Sequence, residues 1–325
     1  MKWLIRILFI LVAVFGLVLG ALLLMPGDKL GAILAEQVKT QTGRDLTLSG
    51  DVSLSFWPVL GMETGPVTFG NAEWAGSEPM LSAQSLAVGV DASALLGGDI
   101  RIKRVLADNP VLRLELNDGR GNWELTAPVS TTQPAAVSGA APSSGAITLE
   151  RLELTNARLI YVENGQIRMD FADVDLSARW PEVSAPMQMQ ASMPVTGGAV
   201  NVDLTIPDLP AFATGSVTSL VLNMTAPGGA FNYAGRVNLA GEMDGKIDVK
   251  SSDTDRMLAA FGQGGVSVPQ GLGKVAEVTG QITYTSDGRI SLRDMVAVLD
   301  QNRVSGEADI QIAATPQITA RLNAG

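Results

Sequence analysis

The feature that most constrains this chain is an alternation of apolar and polar residues with a period of two, restarted many times along its length. Leu46, Leu48, Val52, Leu54 and Phe56 share one parity, while Asp45, Thr47, Ser49, Asp51, Ser53 and Ser55 take the other. The pattern returns at Leu86, Val88 and Val90, at Leu112, Leu114 and Leu116, and at Ile167, Met169 and Phe171. It continues through Val200 to Ile206, Leu220 to Met224, Ile247 and Val249, Ile290 and Leu292, and Ile318 to Leu322. Successive side chains of a strand point to opposite faces, so each run predicts a strand with one apolar and one polar face. Turn chemistry closes the runs, as in Asn117-Asp118-Gly119, Glu163-Asn164-Gly165 and Ser286-Asp287-Gly288. About 20 strands are predicted in this way, and the body is mainly β.

The N-terminus follows a different rule. From Ile7 to Met25 run nineteen uncharged apolar residues, preceded by Lys2 and Arg6. As a helix they would span roughly 28 Å, close to the hydrocarbon thickness of a bilayer. Residues 1–25 are therefore predicted to be a transmembrane anchor with a cytoplasmic N-terminus and an exported body. No small-x-small cleavage site follows, which favours an anchor over a removed leader. Residues 26–43 form a predicted amphipathic helix, with Leu30, Ile33, Leu34 and Val38 on one face and Gly43 placed to end it. Such a helix would cap the open end of the β-structure. The uncharged segment 128–145, rich in Pro, Ser and Ala, reads as a flexible linker between β-segments 44–127 and 146–325. A second short helix is predicted near 253–261, with the glycine-rich stretch 262–273 after it as a plain connection.

Composition closes many functional classes. The chain has no cysteine and no histidine, which removes thiolate nucleophiles, the commonest general base and the commonest transition-metal ligand. The body from Pro26 onward carries −12, which speaks against nucleic acid as a partner. Carboxylate pairs such as Asp173 and Asp175 alternate with Val174 and Leu176, so they belong to the solvated face of a strand and not to a glycosidase dyad. No enzyme activity, cofactor or metal site is expected.

One-sided strands in this number create a large apolar surface, and only two short helices are predicted to cover it. At roughly 25 cal/mol per Å², that surface must be buried against something. The strands either pack on one another as a closed sandwich, or form a trough whose apolar lining holds lipid chains. The alternation by itself leaves both open.

Specific motifs narrow the choice. Thr42-Gly43-Arg44-Asp45-Leu46-Thr47-Leu48-Ser49-Gly50-Asp51-Val52, then Trp57-Pro58 and Leu60-Gly61, resembles the opening of the AsmA family. Gly70-Asn71-Ala72, Leu95-Leu96-Gly97-Gly98-Asp99-Ile100, Asn109-Pro110 and Asp118-Gly119-Arg120-Gly121-Asn122-Trp123 are similar to later elements of the same family. The resemblance covers essentially the whole chain and is most specific in residues 1–127. It implies a protein anchored in the bacterial inner membrane through residues 7–25. Its periplasmic body would be an elongated antiparallel β-sheet curled into a hydrophobic groove. The implied role is non-enzymatic phospholipid transfer or outer-membrane biogenesis, with phospholipid acyl chains as the ligand and envelope proteins as further partners. The family often runs longer, so a continuation beyond Gly325 is compatible with the resemblance.

The candidate groove lining is Leu46, Leu48, Val52, Leu54, Phe56, Leu86, Val88, Val90, Leu112, Leu114 and Leu116. Gly43, Arg44, Gly50, Pro58, Gly61, Asn71, Pro110, Gly119, Asn122 and Trp123 are the motif residues given structural roles. The rival is a closed β-scaffold that assists outer-membrane protein assembly without carrying lipid.

Overall fold

The computed structural model describes residues 27–50, 52–55, 60–91, 101–124, 148–312 and 317–324. The predicted anchor at 7–25, the linker at 128–145, Phe56, Pro58 and the motif at 95–100 lie outside the described residues. Among the described residues no helix is long and apolar enough to cross a membrane.

Twenty strands and three helices make up the described chain. The chain divides into two compact units. The first comprises the described residues within 1–100, 104–145 and 157–170, and the second those within 101–103, 146–156 and 171–325. Strands β10 (Thr148–Glu163) and β11 (Gln166–Trp180) each contribute to both.

In the first unit, helix α1 (Gly27–Thr42) ends where Gly43 adopts φ +71° and donates its N–H to the Lys39 carbonyl at 2.8 Å. A side chain other than glycine would be strained in that conformation. Strands β1 (Leu46–Leu48), β4 (Val67–Phe69), β5 (Leu81–Ala83) and β8 (Val111–Asn117) pair antiparallel in that order. A second ladder joins β2 (Ser53–Ser55), β3 (Leu60–Thr64) and β6 (Ser85–Val90). Gly50 and Gly65 approach so closely that a methyl on Gly50 would stand 2.9 Å from the Gly65 Cα. One pairing departs from the expected antiparallel sheet: β8 runs parallel to β10, with Leu112 opposite Leu159 and Leu114 opposite Tyr161. Parallel neighbours are brought together by long connections, which leave no local signature in sequence.

The second unit is a regular meander. From β11 through β12 (Met187–Val195), β13 (Gly198–Ile206), β14 (Thr218–Ala226), β15 (Gly229–Val237) and β16 (Met243–Ser251), each strand pairs antiparallel with the next. The order continues through β17 (Ala276–Tyr284), β18 (Arg289–Leu299), β19 (Asn302–Gln311) and β20 (Gln317–Ala324). Among the described residues no register joins β20 back to β11, so the meander is open there.

Three strands contain one residue in the left-handed region: Asn156 in β10, Asp173 in β11 and Asp294 in β18, with φ of 53°, 54° and 49°. At Asp294 the register shifts by one position, as at a β-bulge. In β18 the shift lies between Leu292 and Met295, so Ile290 and Leu292 share a face with Met295, Ala297 and Leu299. Strands longer than the sequence runs result.

The expectation of two short helices needs correction. Helix α3 (Thr254–Ala260) lies within the segment the sequence marks, but a further helix, α2 (Leu209–Ala213), stands between β13 and β14. The Asp208 side chain accepts from the Ala211 amide and Pro210 occupies its first turn. That is an N-cap followed by proline, in a stretch too short for hydrophobic periodicity to show.

Strands β15 and β16 are drawn together at Gly235 and Gly245, which face each other in register. A methyl on Gly245 would stand 2.6 Å from the Gly235 Cα and 2.8 Å from the Tyr233 ring. Tyr233 is buried and its hydroxyl donates to the Arg236 carbonyl at 2.9 Å. The ring thus covers the two glycines that lack side chains of their own. Gly245→Val is expected to destabilise the second unit by about 3 kcal/mol, because two backbones would have to separate. Equilibrium urea unfolding measures it.

Candidate apolar groove and its polar support

The register of the second unit sorts its side chains onto two faces of opposite chemistry. On one face a row runs Met189, Leu204, Leu222, Tyr233, Ile247 and Gly280 across β12 to β17. A neighbouring row runs Ala191, Val202, Met224, Phe231, Val249, Val278, Ala297 and Val304 across β12 to β19. From β12 to β20 this face carries no charged side chain. The opposite face holds Asp203, Asn232, Lys246, Asp248, Lys250, Glu277, Arg293 and Asp309. Its cross-strand ion pairs include Lys250 with Glu277 at 3.2 Å and Arg293 with Asp309 at 2.8 Å.

The apolar face is not sealed. Val174, Val200, Ile206, Tyr233 and Ala297 are buried, but Met189, Leu204, Leu222, Phe231, Ile247, Val278 and Ile282 are only half-buried. On β20, Ile318 and Leu322 are 69% and 54% exposed. A sandwich packs a second sheet about 10 Å away and hides such rows completely. Among the described residues no second sheet of the same unit pairs with it, and the Met257 side chain of α3 reaches one end of it, at Gly229. The result is a broad apolar surface, about 40 Å across nine strands at roughly 4.8 Å each.

The residues proposed from sequence as groove lining lie elsewhere, in the first unit. Leu46 and Leu48 pair with Phe69 and Val67, while Leu81 on β5 faces Leu112. Leu112, Leu114 and Leu116 share one parity of β8. Leu54 sits opposite Met62, which faces Val88, while Leu86 and Val90 face Thr64 and Leu60. These residues therefore occupy two ladders. Leu48 and Val52 are half-buried beside α1, where a methyl on Gly31 would stand 3.6 Å from Leu48 Cδ1 and 3.7 Å from Val52 Cγ2. The longest uncharged face belongs to the second unit, whose alternation is equally plain in sequence.

Three of the motif residues, Arg44, Asn71 and Asn122, converge on one buried polar cluster. Asn122 has no exposed surface. Its side-chain oxygen accepts from the Glu115 amide at 2.9 Å, and its amide nitrogen donates to the Arg113 carbonyl at 2.8 Å and to Asn71 Oδ1 at 3.0 Å. The Asn71 amide donates to Glu115 Oε1 at 2.8 Å. The Arg44 guanidinium, also buried, donates to the Asn122 carbonyl at 2.5 Å. Pro110 is buried, and its carbonyl accepts from the Arg158 amide. Gly61 is buried within β3 opposite Ser55 and Gly89, and Gly119 turns the chain at φ +78°. The Trp123 ring lies against Gly121, while Trp74 receives the Arg120 cation 5.6 Å from its ring centre.

Glu115 and Arg113 were missed from sequence, because in Leu112–Leu116 they take the polar parity that normally faces water. Glu115 is instead 8% exposed. Burial pushes its carboxyl up, but the Gly76 amide, Arg113 and Asn71 outweigh this and hold it below the ordinary value of 4.5. A carboxylate with a depressed folded pKa adds stability above its unfolded pKa and loses it as pH falls through the folded one. Acid should therefore weaken the first unit below about pH 4.5, and Glu115→Gln should remove that part of the pH dependence in an unfolding titration.

The pair Asp173 and Asp175 serves the backbone: Asp173 is left-handed and Asp175 accepts from the Asn156 amide at 3.0 Å. Among the described residues no group of three or more acidic side chains is placed to hold a metal ion.

A comparison with family models matches the AsmA family over residues 2–223. Comparison with curated proteins finds no match, and neither does comparison with solved structures.

Proposed function

We propose, since the chain belongs to the AsmA family, that it is a non-enzymatic phospholipid transfer or outer-membrane biogenesis protein. In this reading, residues 7–25 anchor it in the bacterial inner membrane and the β-structure stands in the periplasm. Lipid acyl chains lie on the apolar face and headgroups stay at its wet margin. The observation that carries this is the uncharged, half-buried face of the second unit, which extends over nine consecutive strands with no second sheet of that unit paired with it among the described residues. Contact with acyl chains would remove that surface from water at roughly 25 cal/mol per Å². The attraction is non-directional, so a chain could slide along the rows without meeting a deep local well. No cofactor and no reacting side chain are required.

A closed scaffold for envelope protein assembly is the rival, and it needs the apolar face to be filled by protein. The open meander favours the lipid reading. The test is transfer of a fluorescent phospholipid between two vesicle populations by the full chain. Transfer above the protein-free rate, with the lipid chemically unchanged, is the expected result. Transfer at the protein-free rate, with no lipid taken up, would contradict the proposal.

A further inference from the structure

The segment from Phe261 to Val275 leaves α3, crosses the hairpin end between β16 and β17 and carries five glycines. Its sequence suggests a loose connection, yet it is held from within. Both oxygens of the Asp300 carboxylate accept from its backbone: Oδ2 from Gly271 at 2.6 Å, Gly273 at 3.1 Å and Lys274 at 3.3 Å, and Oδ1 from Val275 at 2.8 Å. Asp255 accepts from the Val268 amide at 2.6 Å, Thr254 donates to the Gly273 carbonyl and Asn302 to the Gly271 carbonyl. With the turns at Phe261, Gly262, Gln263, Val266 and Leu272, ten backbone amides of the loop are satisfied inside the protein.

Four of its large apolar side chains are exposed. Phe261, Val266, Leu272 and Val275 are 46%, 49%, 66% and 52% exposed. Four such residues within one loop exceed what scattered surface hydrophobes explain. The loop's charge is equally unusual. In a body of −12 it contains no carboxylate, and its one charged residue is Lys274. The acids that hold it, Asp255 and Asp300, belong to its base.

We propose that this loop docks on the surface of a phospholipid bilayer, with Phe261, Val266, Leu272 and Val275 entering the interface. A bilayer accepts apolar side chains without demanding a complementary shape, and it penalises unpaired backbone groups and buried carboxylates. The loop presents the first, turns ten of its backbone amides onto internal acceptors and contributes no carboxylate of its own. Because Asp300 already orders the backbone, docking loses little conformational entropy. The inference does not require lipid to occupy the apolar face of the sheet.

The chain has no cysteine, so Val266→Cys supplies a single thiol for an environment-sensitive fluorophore, and Lys246→Cys on the polar face supplies the control. The labelled full chain is reconstituted into vesicles of phosphatidylethanolamine and phosphatidylglycerol. Spin-labelled lipid is placed in the host bilayer in one preparation and in added vesicles in another. Quenching and a blue shift at Val266 in at least one preparation, with none at Lys246, is the expected result. Adding Phe261→Ser and Leu272→Ser should lower the quenched fraction about tenfold. No quenching at Val266 in either preparation, or equal quenching at Lys246, overturns the proposal.

Discussion

Asn122→Ala is expected to cost the first unit about 3 kcal/mol, the largest stability loss of any single polar substitution in that cluster. The side chain is fully buried and makes three hydrogen bonds. Alanine fills none of them. It leaves the Glu115 amide, the Arg113 carbonyl and the Asn71 side chain without the partner each was desolvated to meet, at about 1 kcal/mol or more apiece. Loosening Asn71 would also weaken its grip on the Glu115 carboxylate. Asn122→Asp should be no milder, since it turns a donor into an acceptor facing the Arg113 carbonyl and adds charge beside Glu115. By contrast, Trp123 is 43% exposed, and its replacement by leucine should cost under about 1 kcal/mol. Chemical denaturation followed by tryptophan fluorescence, with Trp74 and Trp123 reporting on this unit, measures the difference.

Leu222→Asp is expected to lower bound phospholipid by about tenfold or more while leaving the chain folded. Leu222 stands between Leu204 and Tyr233 in the apolar row and is half-buried. A carboxylate there stays hydrated in the free protein, so its cost to folding is about 1–2 kcal/mol. Laying an acyl chain across it would strip that hydration, and burial of an unpaired charge is far costlier. Val221→Asp is the matched control, one residue away on the opposite face and 39% exposed. It should leave lipid content unchanged. Equal losses from both substitutions would show that lipid does not select the apolar face.

Both predictions rest on features that were unequally legible in sequence. The alternation at Val200–Ile206 and Leu220–Met224 announced strands with one apolar face, and the register places those residues in common rows. Gly43 announced the end of α1, and Asp253 with Gly262 marked the limits of α3. What misled was change of parity within a strand. Ile167, Met169 and Phe171 read as one strand and Val174 and Leu176 as another, whereas both runs lie in a single strand with Asp173 left-handed between them. Period-two reasoning has no place for the extra residue.

Glu115 was invisible for the opposite reason: its parity was read correctly as polar, but polar here means a buried network and not solvent. The motif residues Arg44, Asn71 and Asn122 lie far apart in sequence, and only their hydrogen bonds reveal that they act as one unit. The parallel pairing of β8 with β10 has no local signature either. The groove list was confined to the first 127 residues because the family motifs concentrate there. The apolar rows themselves extend furthest in the second unit, where the motifs are loose.

The central claim is that the apolar face holds lipid. Native mass spectrometry of the full chain, released from bacterial envelopes in mild detergent, tests it most directly. The account predicts several co-purifying phospholipid masses on the unsubstituted protein, largely lost in Leu222→Asp and kept in Val221→Asp. A folded chain free of lipid, with the same spectrum in all three forms, would contradict it.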